Sequence, residues 1–82
     1  MSAVQIKDIV NNAINPSGVV RFKIVSLPRM GGYRITLIAR RGGMSGTAMD
    51  NLLDQLHALG YKTRIKATHS FLYTVIQVEV YR

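Results

Sequence analysis

The chain contains no cysteine, and only four of its 82 residues are acidic. Without cysteine there is no disulfide, no thiolate metal site and no thiol nucleophile, an absence in keeping with a reducing compartment. The two histidines, His57 and His69, stand apart from thiols and from clustered carboxylates, so they do not compose a zinc site. No Ser-His-Asp arrangement, no carboxylate pair spaced for acid–base work and no P-loop can be traced. An enzyme is therefore not expected, nor is a bound cofactor. No apolar run reaches the length of about eighteen residues that suggests a membrane span. The first eight residues, Met1 to Asp8, lack the basic start and continuous apolar stretch of a signal peptide. These absences point to a soluble, cytoplasmic binding protein with no membrane partner.

What is abundant is positive charge. Eleven Lys and Arg face the four acids, for a formal charge of +7. Such an excess favours association with a polyanion: nucleic acid, an anionic membrane or an acidic protein surface. Eighty-two residues make one small domain. A chain of this size buries roughly 60% of its unfolded surface, so its core is thin and oligomerisation would supplement it.

Apolar spacing places a helix over Ser2–Asn15, through Ile6, Ile9, Val10, Ala13 and Ile14. Ser2 and Gln5 match a capping box, and Asn15-Pro16-Ser17-Gly18 ends the segment. Strands follow near Val19–Ser26 and Tyr33–Arg41, separated by the glycine-rich loop Leu27–Gly32. After Gly42-Gly43-Met44-Ser45-Gly46, Thr47 and Asp50 suggest a second capping box. Met49, Leu52, Leu53, Leu56 and Leu59 then form a helical stripe stopped by Gly60. Two last strands, near Tyr61–Thr68 and Phe71–Tyr81, turn around His69-Ser70, with Leu72, Ile76, Val78 and Val80 facing the core.

The order is α-β-β-α-β-β, and its halves, about 2–41 and 46–82, resemble each other. Ile6, Ile9, Val10 and Ala13 precede Met49, Leu52, Leu53 and Leu56 by 43 positions, as Arg21-Phe22-Lys23 precedes Arg64-Ile65-Lys66. Tyr33-Arg34-Ile35-Thr36 then matches Tyr73-Thr74-Val75-Ile76 if the second hairpin is three residues shorter, although the two strands alternate out of phase. Two amphipathic αββ units bury their apolar sides by merging into one four-stranded, mainly antiparallel sheet with both helices on one face. The expected strand order is 1-2-4-3, a circular permutation of the ferredoxin-like pattern.

Strand side chains alternate between faces. In each basic strand the cations share one parity and the apolar residues the other. Arg21, Lys23, Arg34, Arg40, Lys62, Arg64 and Lys66 thus converge on the open side of the sheet, with Tyr73 and Tyr81 beside them. Glu79 is the single acid there; Asp8, Asp50 and Asp54 fall on the helices. Val25, Ile38 and Val75 also point outward, to lie against bases or in a dimer interface. Arg40 and Arg41 lead into a glycine-rich helix start where backbone N–H groups can receive a phosphate, though a connector needs glycine anyway.

The expected function is nucleic-acid binding, DNA or RNA. Lys and Arg would neutralise phosphates, and the tyrosines would stack on unpaired bases. Size and charge suit a phage or mobile-element accessory protein. Two alternatives stand beside this reading: an interaction module or inhibitor that docks on an acidic protein, and a homo-oligomeric structural subunit.

Overall fold

The computed structural model describes residues 3–14, 19–40 and 46–82. Helix α1 covers Ala3–Ile14, strand β1 Val19–Leu27 and strand β2 Gly32–Arg40. Helix α2 follows over Gly46–Ala58, then β3 over Lys62–His69 and β4 over Tyr73–Tyr81. The strands form one antiparallel sheet in the order β1-β2-β4-β3. This is the α+β architecture and the strand order expected from the sequence.

Alternation decides which residues enter the core. From β2 come Ile35 and Leu37, from β4 Val78 and Val80, each fully buried. They form one cluster with Ile6, Val10 and Ala13 of α1 and Leu52 and Leu56 of α2. The spacing of those helical residues keeps them on one side of each helix. Phe22 and Ile24 of β1, with Ile9, Met49, Leu53 and Ile76, pack half-buried around this centre.

Two turns set the angles between elements. At the end of α2 the Tyr61 N–H donates to the Leu56 carbonyl and the Gly60 N–H to the His57 carbonyl, at 3.2 and 3.0 Å. Gly60 has a φ of 88°, so this is a Schellman motif that satisfies the last carbonyls. Tyr61 and Leu56 complete it by meeting in the core. Between β1 and β2 a single 3-10 turn, Pro28–Met30, closes through Gly31. Gly32 then begins β2 where a Cβ would run into the Val80 carbonyl of β4.

Several expectations need correction. β4 begins at Tyr73, and Phe71 and Leu72 belong to the preceding turn. Leu72 is 62% exposed and not in the core. Its parity matches the buried residues of β4, but alternation has no meaning beyond the ladder. Ile65, on the helix side of β3, is 46% exposed although α2 contacts that strand. Leu59 lies past the end of α2 and is also exposed. Leu53 is half-buried, so Leu52 and Leu56 are the leucines that α2 buries fully. Helix α2 starts at Gly46, which puts Thr47 inside its first turn instead of ahead of it. Ser2, the Asn15–Gly18 breaker, Arg41 and the Gly42–Ser45 connector lie outside the described residues.

The two hairpins share one register. Moving β1 forward by 43 residues and β2 by 41 carries Arg21↔Ile38 onto Arg64↔Glu79 and Lys23↔Thr36 onto Lys66↔Gln77. All six pairs from Arg21↔Ile38 to Ser26↔Tyr33 land on pairs of the second hairpin. The shift of 41 also superposes the bounds of β2 and β4. The second hairpin is therefore two residues shorter, not three. That difference of one removes the phase conflict: Ile35 now corresponds to buried-side Ile76 and not to open-face Val75.

Candidate functional site

The side of the sheet away from the helices is built from cross-strand rows. Directly paired residues of an antiparallel ladder project on the same face. The central row reads Lys23, Thr36, Gln77, Lys66. On one side of it lies Arg21, Ile38, Val75, Thr68, and on the other Val25, Arg34, Glu79, Arg64. Beyond these come the pairs Arg40 with Tyr73 and Lys62 with Tyr81. A β-bulge between Val19 and Arg21 precedes the first cation and sets it on this face opposite Ile38.

The charge is not spread evenly. Arg21 and Lys23 stand on edge strand β1, and Lys62, Arg64 and Lys66 on edge strand β3. All five are exposed, as is Arg40 at the end of β2. Three interstrand spacings separate the two edges, about 14 Å. The middle of the face holds half-buried Thr36, Ile38, Val75 and Gln77. Arg34 is the cation placed centrally, and it is paired with Glu79 at 3.6 Å. Its Nε is enclosed and makes no hydrogen bond among the described residues. Glu79 also stands opposite Arg64 in the ladder, so one carboxylate serves a position between two guanidinium groups. Such a partly exposed pair contributes about 0–1 kcal/mol to stability. Its larger effect is electrostatic, leaving the centre less positive than the edges.

The structure brings the predicted cations of the four strands to one face; Arg41 lies outside the described residues. The tyrosines differ. Tyr73 is 43% exposed next to Arg40, whereas Tyr81 is half-buried beside Lys62. Between β1 and β2 the face dips into a shallow depression lined by Arg21, Phe22, Lys23, Thr36 and Ile38. Asp8, Asp50 and Asp54 are exposed on the helices, so the two sides of the domain carry opposite tendencies.

Sequence reasoning missed Phe71, which is 87% exposed in the β3–β4 turn. A signal was present in Ser70. Its Oγ accepts from the Tyr73 N–H at 3.2 Å, and its own N–H donates to the Tyr73 carbonyl at 2.8 Å. Serine favours such local side-chain-to-backbone turns, which end the ladder and turn out the residues between. The histidines are engaged locally: His57 Nε2 lies 2.9 Å from Thr63 Oγ1 and His69 Nδ1 2.9 Å from Thr74 Oγ1. His57 thus meets β3. Among the described residues no group of three His, Cys, Asp or Glu could hold a metal, and no helix is long and apolar enough to cross a membrane.

Fold and face together define a small α+β domain with a cationic open sheet. The chain is 34% identical over 68 residues to the uncharacterized protein ORF107 of Acidianus filamentous virus 2 (isolate Italy/Pozzuoli). The aligned part is 83% of this chain but 64% of the viral protein, so the chain spans just under two thirds of that relative's length. No family model matches the sequence. No solved structure matches it either.

Proposed function

We propose that this protein binds nucleic acid through the open face of its sheet, mainly by phosphate contacts. One observation carries the reading: six exposed cations share a face whose single acid is already paired, while the other three acids lie on the helices. Solubility alone would not require that segregation. Phosphates neutralised by Arg21, Lys23, Arg40, Lys62, Arg64 and Lys66 would release condensed counterions, which makes affinity high at low salt. Exposed Tyr73 adds a ring on which an unpaired base can stack, for roughly 1–3 kcal/mol; half-buried Tyr81 offers less. The protein acts in the cytoplasm, and the viral relative suits an accessory protein of a virus or mobile element. We also read the two αββ units as a structural repeat and the sheet as a permuted ferredoxin-like arrangement; the shared hairpin register supports both.

Titration with DNA and RNA over a range of salt tests this function. With about four to six duplex contacts, log K against log salt should slope at roughly −4 to −5. Arg64→Ala should shallow the slope by about one unit with little change in sequence preference. Lys7→Ala, on the exposed side of α1, should leave it unchanged. Identical behaviour of the two variants would reduce the attraction to diffuse net charge. Failure of every nucleic acid to bind at low salt would pass the cationic face to an acidic protein partner.

A further inference from the structure

Four of the five cations at the two edges of the open face, all but Lys62, are related by the same operation that relates the hairpins. β2 and β4 pair antiparallel, and Thr36, shifted by 41, becomes its own ladder partner Gln77. Exchange of the hairpins is therefore a half-turn about an axis normal to the sheet, passing between Thr36 and Gln77. That half-turn carries Arg21 onto Arg64 and Lys23 onto Lys66, keeping both residue types. The central residues do not keep theirs: Arg34 maps to Val75 and Ile38 to Glu79. Likeness is thus concentrated in the four edge cations.

We infer that the face is built to straddle a double-stranded nucleic acid, with its half-turn axis on a dyad of the duplex. This rests on the nucleic-acid reading above and names the class of ligand. The two backbones of a duplex run antiparallel and are exchanged by half-turns across the grooves, which is why two-fold proteins meet two-fold sites. A single strand has a direction and no such axis. On a duplex, Lys23 and Lys66 meet equivalent phosphates of opposite strands, about 14 Å apart at the backbone of the sheet. Arg21 and Arg64 sit diagonally, two residue pairs further along each edge and in opposite senses.

The distribution of charge agrees independently. A groove for one strand tracks a single backbone with a continuous cationic line. Here the cationic lines are two; between them lie uncharged Thr36, Gln77, Ile38 and Val75 and the paired Arg34 and Glu79, with Arg40 at the end of β2. Four strands are also broader than the B-form major groove, which is about 12 Å wide. The sheet consequently lies over a groove with its edges at the two phosphate walls and does not enter it. DNA and RNA duplexes share this antiparallel phosphate chemistry.

The test compares a DNA duplex of about 20 base pairs, each of its separate strands, and the RNA duplex of the same sequence, at matched low salt. A duplex should bind at least about tenfold tighter than either strand, and the better duplex identifies the source. Lys23→Ala and Lys66→Ala should weaken duplex binding by the same factor. Each should shallow the salt slope by about one unit, and the double variant by about two. Arg21→Ala and Arg64→Ala should match each other in the same way. A strand that binds as tightly as the duplex would overturn the dyad while keeping nucleic-acid binding. So would paired variants, folded by circular dichroism, that differ more than about tenfold in duplex affinity. Absence of binding to all probes would overturn both readings.

Discussion

The two hairpins pair their strands in the same register yet meet the helices differently. On the helix side of β1, Phe22 and Ile24 are half-buried against the core. At the positions of β3 that correspond to them, Ile65 is 46% exposed and Ala67 is exposed too. The contrast continues into the turns. The first hairpin closes over a compact 3-10 turn and Gly32, while the second turns Phe71 and Leu72 outward. Hydrogen bonding between strands is thus matched on the two sides, whereas burial of their helix-side residues is not. Alternation is a property of the strand, but burial depends on what lies above it.

The largest expected effect comes from breaking the shared centre. Leu52→Ala removes a fully buried side chain of the core cluster that both halves share and should cost about 2–5 kcal/mol. Leu53→Ala, half-buried, should cost less, and Ile65→Ala less again, because water already reaches much of that side chain. Denaturant melts of the three variants check the ranking. Equal losses at Leu52 and Ile65 would mean that β3 is covered, and the contrast between hairpins would disappear.

Gly32 sharpens the comparison at the turns. Its counterpart at the start of β4 is Tyr73, a residue with a large side chain and 43% exposure. At Gly32 itself even a methyl group meets Val80 backbone, which cannot rotate away. Gly32→Ala should destabilise the domain by about 1–3 kcal/mol or more by overpacking, whereas Tyr73→Ala should leave its melting curve nearly unchanged. A neutral Gly32→Ala would show that the two strand starts are equally open.

Much of this was legible in the chain because β2, β4 and β1 alternate cleanly. Val20-Arg21-Phe22-Lys23-Ile24 and Arg34 to Arg40 assign cations to one face whatever the helices do. The order 1-2-4-3 agrees with the expected one, although merging two hairpins with one apolar side each also permits other orders. Other features were not legible, for physical reasons. Leu72 carries the parity of Val78 and Val80, and only the Ser70–Tyr73 hydrogen bonds reveal that the ladder has already ended. Ile65 keeps the apolar parity of β3 and is still 46% exposed. The pairing of Arg34 with Glu79 depends on which strands are neighbours, and no local pattern encodes that.

A smaller effect is expected at the centre of the open face. Glu79 has no positive counterpart to offset at the equivalent place in the first hairpin, where Ile38 stands. Glu79→Gln removes the face's one acid, frees Arg34 and leaves Arg64 without a carboxylate opposite it in the ladder. Stability should change by no more than about 1 kcal/mol, as for other partly exposed pairs. Nucleic-acid affinity at low salt should rise, and the gain should shrink as salt is added. An unchanged or lower affinity would mean that the carboxylate positions the guanidinium groups and does not merely compete for them.

The smallest stability change belongs to the second turn. Phe71 is 87% exposed in the folded domain, so folding removes little of its ring from water. The turn around it is held by Ser70 and Tyr73, not by the ring. Phe71→Ser should therefore shift stability by less than about 0.5 kcal/mol, the range usual for surface positions. The same substitution at Phe22, half-buried against the core on the other hairpin, should cost clearly more. Paired thermal melts of Phe71→Ser and Phe22→Ser read the difference directly. If Phe71→Ser destabilises as much as Phe22→Ser, the ring is packed in solution, and the second hairpin is covered by contacts that exposure in a single chain does not reveal.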